Sequence, residues 1–457
     1  MGGVSRARQI AYDVLRRVEA EAAFASDVLH EALDASVKPA DAALATEITF
    51  GVLRQRRLLD FLLDQHLKKP IEKLDLPVAL ALRMGFYQLR FLEKIPARAA
   101  VNESVELVKR ARKTSAATLV NAVLHKVASE ASTAAAKLLP PNLPLAERFA
   151  ILHSHPTWLV ERWLSRLGEV QTSALLEANN QRPRLTCALH QPERYQEVFD
   201  EFEAAGMRVE RGVLLKNAFA ASGGSPARTR AFRTGLISIQ DEASQAVPLL
   251  LGVRPGDRVL DLCAAPGGKT PALVRAAGND GVVIAADRHA HRLRAMRTQF
   301  QRLKLDGVRL VELDAEQPLP FREEFDCILV DAPCSGTGTL ARHPEIRWRL
   351  RPEQLGEFHR LQVHMLRNAF ASLAPSGRLV YSTCSIEPEE NEDVVAEALR
   401  DEPSIRPVRA SAAAETLQPH LLSGLDARTL FASDGYFRTS PAMQHTDGFF
   451  AAVLERP

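Results

Sequence analysis

From residue 255 onward the chain repeats one pattern: a short apolar run, a turn, then a helical stretch. The runs are Arg258-Val259-Leu260-Asp261-Leu262, Val282-Val283-Ile284-Ala285-Ala286-Asp287, Val308 to Asp314, Asp326-Cys327-Ile328-Leu329-Val330-Asp331 and Arg378-Leu379-Val380-Tyr381-Ser382. Strands that are apolar along their whole length must be covered on both faces, and alternation with helices supplies that cover. The pattern predicts a doubly wound α/β domain on a parallel sheet. Gly448-Phe449-Phe450-Ala451-Ala452-Val453-Leu454 reads as one last strand.

The rest of the chain has a different texture. Residues 5–130 show apolar positions at helical spacing, as in Ala7 to Leu15, Gly51 to Leu63 and Val101 to Val108, with no strand-like alternation. Ala131 to Pro144, rich in Ala and Pro, reads as a linker. Residues 145–240 are mixed. Helical patterns at Trp158 to Leu167 and Gln171 to Asn179 precede a strand at Arg184 to Leu189, a helix around Tyr195 to Ala205, and a strand over Phe232 to Ile239. The sequence thus divides into an all-α segment, 1–135, a small α/β module, 145–240, and the doubly wound domain, 241–457.

A chain of 457 residues has room for about three domains at roughly 150 residues each, and 46% hydrophobic content gives each its own core. The net charge of +2 excludes a general polycation. The charge is uneven, however: residues 1–140 carry about +5 and residues 241–457 about −5. No apolar run reaches membrane-spanning length, so no membrane association is expected. Met1 to Val18 interleaves charges with apolar residues and has no signal-type core. Five cysteines, odd in number and widely spaced, do not form a disulfide framework, and a cytoplasmic location follows.

Ligands of such sheets bind beyond the carboxyl ends of the strands. The first strand ends in Asp261-Leu262-Cys263-Ala264-Ala265-Pro266-Gly267-Gly268-Lys269-Thr270, where small residues let backbone approach a ligand. The second ends in Asp287, suited to ribose hydroxyls, and the third in Asp314, suited to an adenine amino group. Each acidic residue alone could equally be a helix cap. Gly268-Lys269-Thr270 also suggests a phosphate loop, but Cys263 stands where that motif needs its first glycine, and Pro266 removes a backbone donor.

Two further strand ends carry cysteines: Asp331-Ala332-Pro333-Cys334-Ser335-Gly336-Thr337-Gly338 and Ser382-Thr383-Cys384-Ser385. Cys187 and Cys327 lie inside strand patterns and read as packing residues, and Cys263 is closer to packing than to chemistry. Cys334 and Cys384 follow their strands among small polar residues. Methylation at C5 of cytosine can use both. C5 is too weak a nucleophile until a thiolate adds at C6, and the adduct must afterwards be broken. A cation such as Lys269 would favour the thiolate, and Asp331 could bond N3 and the exocyclic amine of the base.

These motifs resemble the RNA 5-methylcytidine methyltransferase family over about 250 to 454, including Asp447-Gly448-Phe449-Phe450. The resemblance implies a Rossmann-like S-adenosylmethionine-dependent methyltransferase domain. It makes Cys384 the nucleophile and Cys334 the residue that assists breakdown of the covalent intermediate. It also implies cofactor contacts from Cys263, Ala264, Ala265, Pro266, Gly267, Gly268, Lys269, Asp287, Arg292, Asp314 and Asp331. Residues 5–130 resemble an all-α NusB-like RNA-binding domain through Val101 to Leu107 and Val120 to Leu124, although Leu119 and His125 depart from the Phe and Arg of that pattern. With His343-Pro344-Glu345-Ile346-Arg347-Trp348, the combination is similar to bacterial 16S ribosomal RNA cytosine-5 methyltransferases of the RsmB/Sun type. The implied partner is small-subunit ribosomal RNA before full assembly, met by a monomer without a metal. Arg54, Arg56 and Arg57, Lys68 and Lys69, and Lys109, Arg110, Arg112 and Lys113 are candidate phosphate contacts. Methylation of transfer RNA and a non-catalytic assembly role are the alternatives.

Overall fold

The computed structural model describes residues 3–34, 36–130 and 135–457. These fall into two compact units: one of residues 1–181 together with Leu340–Arg349, the other of Arg182–Thr339 together with Leu350–Pro457.

The first unit is helical, as its periodicity predicts, with helices Arg6–Glu21, Ala25–Ala32, Pro39–Asp64, Leu76–Phe91, Ala97–Arg110 and Ala117–Ser129 leading it. Ala97–Arg110 shows why these segments are helices. It follows Pro96 and buries Ala100, Val101, Ser104, Leu107 and Val108, a single stripe at helical spacing. It ends on Lys109 and Arg110, where cations suit the helix dipole. The core joins Leu15, Ile48, Leu53, Leu82 and Leu124. Of the expected linker, residues 131–134 lie outside the described residues, and Ala135–Leu138 forms one helical turn. The two helical patterns near 158–179 form one element, Thr157–Asn180, broken at Gly168, whose φ of 75° is left-handed.

Residues 340–349 complete this unit from far along the chain. Arg347 is fully buried and donates to the carbonyls of Ser154 (3.1 Å), Asn179 (2.9 Å) and Leu340 (3.1 Å) and to Asn180 Oδ1 (2.8 Å). Trp348 Nε1 donates to the Leu53 carbonyl at 2.8 Å, and Glu345 accepts from the Ala25 amide at 3.0 Å.

The second unit holds two sheets. The smaller comprises β1 (Leu185–Leu189), β2 (Arg208–Arg211), β3 (Ala218–Ser222) and β4 (Ile237–Ile239) in the order β2-β3-β1-β4, all antiparallel. Helix Tyr195–Ala204 packs Val198 and Phe202 against Phe219 of β3. The strand expected over Phe232 to Ile239 is shorter than its pattern. Arg230–Arg233 is a helical turn capped by the Thr229 hydroxyl, and only Ile237–Ile239 pairs. The sequence reading missed β2 and β3. One is mostly charged and the other rich in alanine, so neither carries a strand signal.

The larger sheet contains β5 (Arg258–Leu262), β6 (Val282–Asp287), β7 (Val308–Glu312), β8 (Phe325–Asp331), β9 (Leu373–Thr383), β10 (Arg406–Pro407), β11 (Phe437–Arg438) and β12 (Phe450–Glu455). Its order is β10-β12-β9-β8-β5-β6-β7, with β11 also on β12. All five expected central strands are present and parallel. The sheet is nevertheless mixed, because β12 runs antiparallel to β9 and pairs antiparallel with β10 and β11. The edge strand β7 is only half buried, unlike the four inner strands, so its apolar run is not covered on both faces. Leu260, Ile328, Val330 and Leu379 face one helical layer, and Val259, Leu329 and Val380 the other. Among the described residues no helix is long and apolar enough to cross a membrane.

Candidate active site

The carboxyl ends of β5, β6, β8 and β9 share one edge of the sheet, which brings the sequence-predicted residues together. Beyond β5 the chain turns at Cys263, in left-handed backbone at φ 64°, and the Ala264 amide donates to the Ala286 carbonyl of β6 at 2.8 Å. The loop tightens through Gly267 N–H to the Ala264 carbonyl, 2.7 Å. Gly267 has φ +89°, and a Cβ there would come within 3.0 Å of the Phe300 ring. Pro271 at the start of helix Thr270–Ala277 is compatible with an N-terminus, where no amide partner is needed.

Four carboxylates surround this loop. Burial pushes the Cys263 thiol well above its ordinary range, and the charges of Asp287, Asp331, Asp261 and Asp314 add to that effect. Cys263 Sγ rests 3.9 Å from Met365 Sδ, in keeping with packing. Asp261 is fully enclosed. Burial raises it to about 7, although the Thr270 hydroxyl donates to its Oδ2 at 2.6 Å. Its other oxygen, Oδ1, is buried without a hydrogen-bond partner. Asp287 and Asp314 each use one oxygen locally, accepting from the His289 amide (2.9 Å) and the Glu316 amide (3.1 Å). Both are therefore turn caps with an oxygen to spare. Arg292 is exposed on helix Ala290–Arg302.

Asp331 and Ser382 are register partners on β8 and β9. The Ser382 hydroxyl donates to Asp331 Oδ1 at 2.8 Å, and Lys269 Nζ contacts Asp331 Oδ2 at 2.5 Å. Lys269 also stands 5.1 Å from the centroid of the Phe449 ring. Its ammonium is thus spent on Asp331, although the sequence reading had aimed it at a thiol.

Cys334 Sγ and Cys384 Sγ are 3.4 Å apart. The hydrogen bond it shares with Cys384, followed by burial and the charges of Cys384 and Glu390, raises the Cys334 thiol well above its ordinary range and favours its protonated form. Cys187 and Cys327 sit buried in their strands, where burial pushes both thiols up to about 12.

Sequence reasoning missed Glu390 and Asn391. The Glu390 carboxylate accepts from the Ser335 amide (2.7 Å), the Ser335 hydroxyl and the Ser385 hydroxyl (2.5 Å). Asn391 accepts from the Thr383 hydroxyl at 2.6 Å and donates to the Ser385 carbonyl at 3.0 Å. Glu387 to Glu390 reads as an acidic helix start, and the available signal was only its position just after the second cysteine loop.

The candidate phosphate contacts separate into two kinds. Arg54 is buried on the Ala341 carbonyl, Arg57 bonds the His155 carbonyl and Glu147, and Arg56 pairs with Glu19 at 3.0 Å. These three hold the helical unit together, so they are not a solvated grip. Lys109 and Arg110 are exposed and Lys113 is half-buried, with partners Glu106, Gln9 and Asp75. Lys68 and Lys69 line a cavity of about 330 Å³ with Lys126, floored by Leu74, Leu119 and Val123.

Comparison with known proteins agrees with this geometry. The family model described as 16S rRNA methyltransferase RsmB/F matches residues 248–455. The NusB family matches 5–129, and the RsmF/B-like ferredoxin-like domain matches 155–223. The probable ribosomal RNA small subunit methyltransferase B of Bacillus subtilis is 31% identical over 453 residues, 98% of either chain. The ribosomal RNA small subunit methyltransferase B of Pseudomonas putida is 33% identical over 91% of this chain and 90% of its own. Among solved structures, PH0851 superposes with a TM-score of 0.81 at 25% identity, covering 99% of this chain and 100% of its own. A methyltransferase homolog protein from Pyrococcus horikoshii gives 0.57 at 29% identity, covering 70% of this chain and 100% of its own. The chain belongs to the 16S rRNA methyltransferase RsmB/F family.

Proposed function

We propose that this protein methylates C5 of a cytosine in 16S ribosomal RNA, using S-adenosylmethionine and a covalent bond between Cys384 and C6. The observation that carries the reading is the pair of thiols 3.4 Å apart at the ends of β8 and β9, beside Asp331.

The cofactor fits the residues present. A tight glycine turn, four surrounding carboxylates and the unpartnered Asp261 Oδ1 make a small, acidic cradle suited to a cationic nucleoside. Cys263 to Lys269 would line it, Asp287 would hold the ribose and Asp314 the adenine, with Arg292 and Asp331 at its border. S-adenosylmethionine, when bound, supplies an electrophilic methyl group.

The chain's own residues prepare the base. The Cys384 thiolate adds its electron pair to C6, which makes C5 enamine-like and nucleophilic. Asp331, held by Lys269 and Ser382, would accept from the exocyclic amine of the base, and a proton shared between Asp331 and N3 would balance the negative charge that develops there. After C5 is substituted, H5 passes as a proton to solvent, its electron pair restores the C5–C6 double bond, and Cys384 departs with the pair of the sulfur–carbon bond. Cys334, protonated beside it, assists that departure.

Residues 1–135 and 145–240 would grip structured RNA, and 241–457 would receive the unstacked base. The reading includes a cytoplasmic monomer acting before subunit assembly is complete. Its five cysteines are free thiols, as a reducing compartment keeps them. The test is to incubate the purified chain with S-adenosylmethionine and either 16S ribosomal RNA or transfer RNA, then map 5-methylcytidine in each. One or a few sites in 16S RNA are expected, and methylation confined to transfer RNA would reject the reading.

A further inference from the structure

Glu390 has no surface exposure, and burying a carboxylate is costly unless strong partners compensate. Burial raises its proton affinity, while the hydroxyls of Ser335 and Ser385, the Ser335 amide and the Gln362 amide pull it back down. The groups bonded to it are all donors, so a carboxylate, which only accepts, suits the position and an amide does not. Their placement is informative. Ser335 directly follows Cys334, and Ser385 directly follows Cys384. Gln362 Nε2, 3.3 Å from Glu390, also donates to the Pro333 carbonyl at 2.8 Å, on the other flank of Cys334. One carboxylate thus touches the chain beside each sulfur.

We propose that Glu390 is a positioning residue for the two-cysteine reaction: its carboxylate fastens the Cys334 loop to the Cys384 loop and fixes the separation of the two sulfurs. The proposal rests on the reading above, in which the cysteines act in turn on one sulfur–carbon bond. Strands β8 and β9 bring the loops to a common edge, but sulfur placement is set in the turns beyond them. Small shifts there matter, since a misplacement of about 1 Å can cost about 10²-fold in rate. The Ser335 and Ser385 hydroxyls approach each other to 3.2 Å across the carboxylate, so both loops converge on it.

The test uses the full chain. Glu390→Gln retains the size of the side chain but replaces one acceptor by a donor facing the serine hydroxyls. The first readout needs no RNA: the fraction of Cys334–Cys384 disulfide at equilibrium in a glutathione redox buffer, read by mass spectrometry. Loosened loops should lower the equilibrium constant at least tenfold. The second is turnover, where kcat should fall at least tenfold with KM for RNA and cofactor within about twofold, and a covalent protein–RNA adduct should build up. If Glu390→Gln fails to fold, Ser335→Ala, which removes one strand of the clamp, should shift the same two readouts in the same direction. A folded Glu390→Gln or Ser335→Ala variant with the wild-type dithiol equilibrium overturns the proposal. Failure of Cys334→Ala to accumulate adduct would instead refute the sequential action of the cysteines, and the dithiol equilibrium would still decide the clamp.

Discussion

The backbone amide of Gly338 donates to the carbonyl of Cys384 across 2.9 Å, while the Gly338 carbonyl accepts from the Gly448 amide at 2.8 Å. The loop that carries one cysteine is therefore sewn by main-chain bonds to the other cysteine and to the chain entering β12. A Cβ at Gly338 would meet the Gly448 carbonyl oxygen at 2.1 Å and that of Cys384 at 2.9 Å, both backbone atoms that cannot rotate away. Gly338→Ala should gain about 0.4–1 kcal/mol from the unfolded chain but lose about 1–3 kcal/mol or more to overpacking. The net effect is a lower urea midpoint together with lost methylation. A variant as stable and active as the wild type would contradict the close approach.

The two cysteines should fail in opposite ways. Cys384→Ala should form no covalent RNA adduct and lose methylation by at least about 10³-fold. Cys334→Ala should accumulate an adduct visible on denaturing gels. Adduct formation by the Cys384 variant alone would exchange the two roles.

Arg347 is a buried cation whose two terminal nitrogens donate to four oxygen acceptors, with no carboxylate hydrogen bond among those described, while its Nε is buried without a partner. Burial, together with the neighbouring Arg54, lowers it to about 9, still charged at neutral pH. Arg347→Met would leave three carbonyls and an amide oxygen enclosed without donors, a loss of about 2–5 kcal/mol. Urea unfolding measures it, and a change below about 0.5 kcal/mol would show that water replaces the guanidinium.

His190 makes stability acid-sensitive. Burial, helped by Arg275 and Arg302, lowers it to about 3, and its Nε2 lies 2.9 Å from the Ser238 hydroxyl. The unfolded chain takes up that proton near 6.5, so between pH 6.5 and 3 it binds more protons than the fold does. Stability therefore declines as pH falls through that window. His190→Gln removes this penalty, and the variant should gain about 2 kcal/mol on the wild type between pH 7 and pH 5. Parallel pH–stability curves for the two proteins would show that His190 titrates normally.

The catalytic sheet was legible because its inner strands are apolar on both faces and end in chemically distinctive residues: Asp261, Asp287, Asp331 and Cys384. The helical unit was legible from its spacing. What was hidden depends on tertiary partners. Arg54, Arg56 and Arg57 look like any solvated basic cluster until their carbonyl and carboxylate partners are known. Lys269 was aimed at a thiol because charge type is visible in sequence and distance is not; its partner is Asp331. Glu390 was overlooked because acidic residues near a helix start are ordinary, and only the serines of two separated loops reveal its use.

The return of Leu340–Arg349 to the helical unit has a practical corollary for dissecting the molecule. A fragment ending at Gln181 would lack Arg347, Trp348 and Glu345, leaving the carbonyls of Ser154 and Asn179 without the guanidinium and that of Leu53 without the indole N–H. Excision of the first 140 residues would in turn strand that decapeptide with part of its cradle gone. The two halves are interleaved along the chain, so their individual contributions to RNA binding are better assigned by point substitution than by truncation.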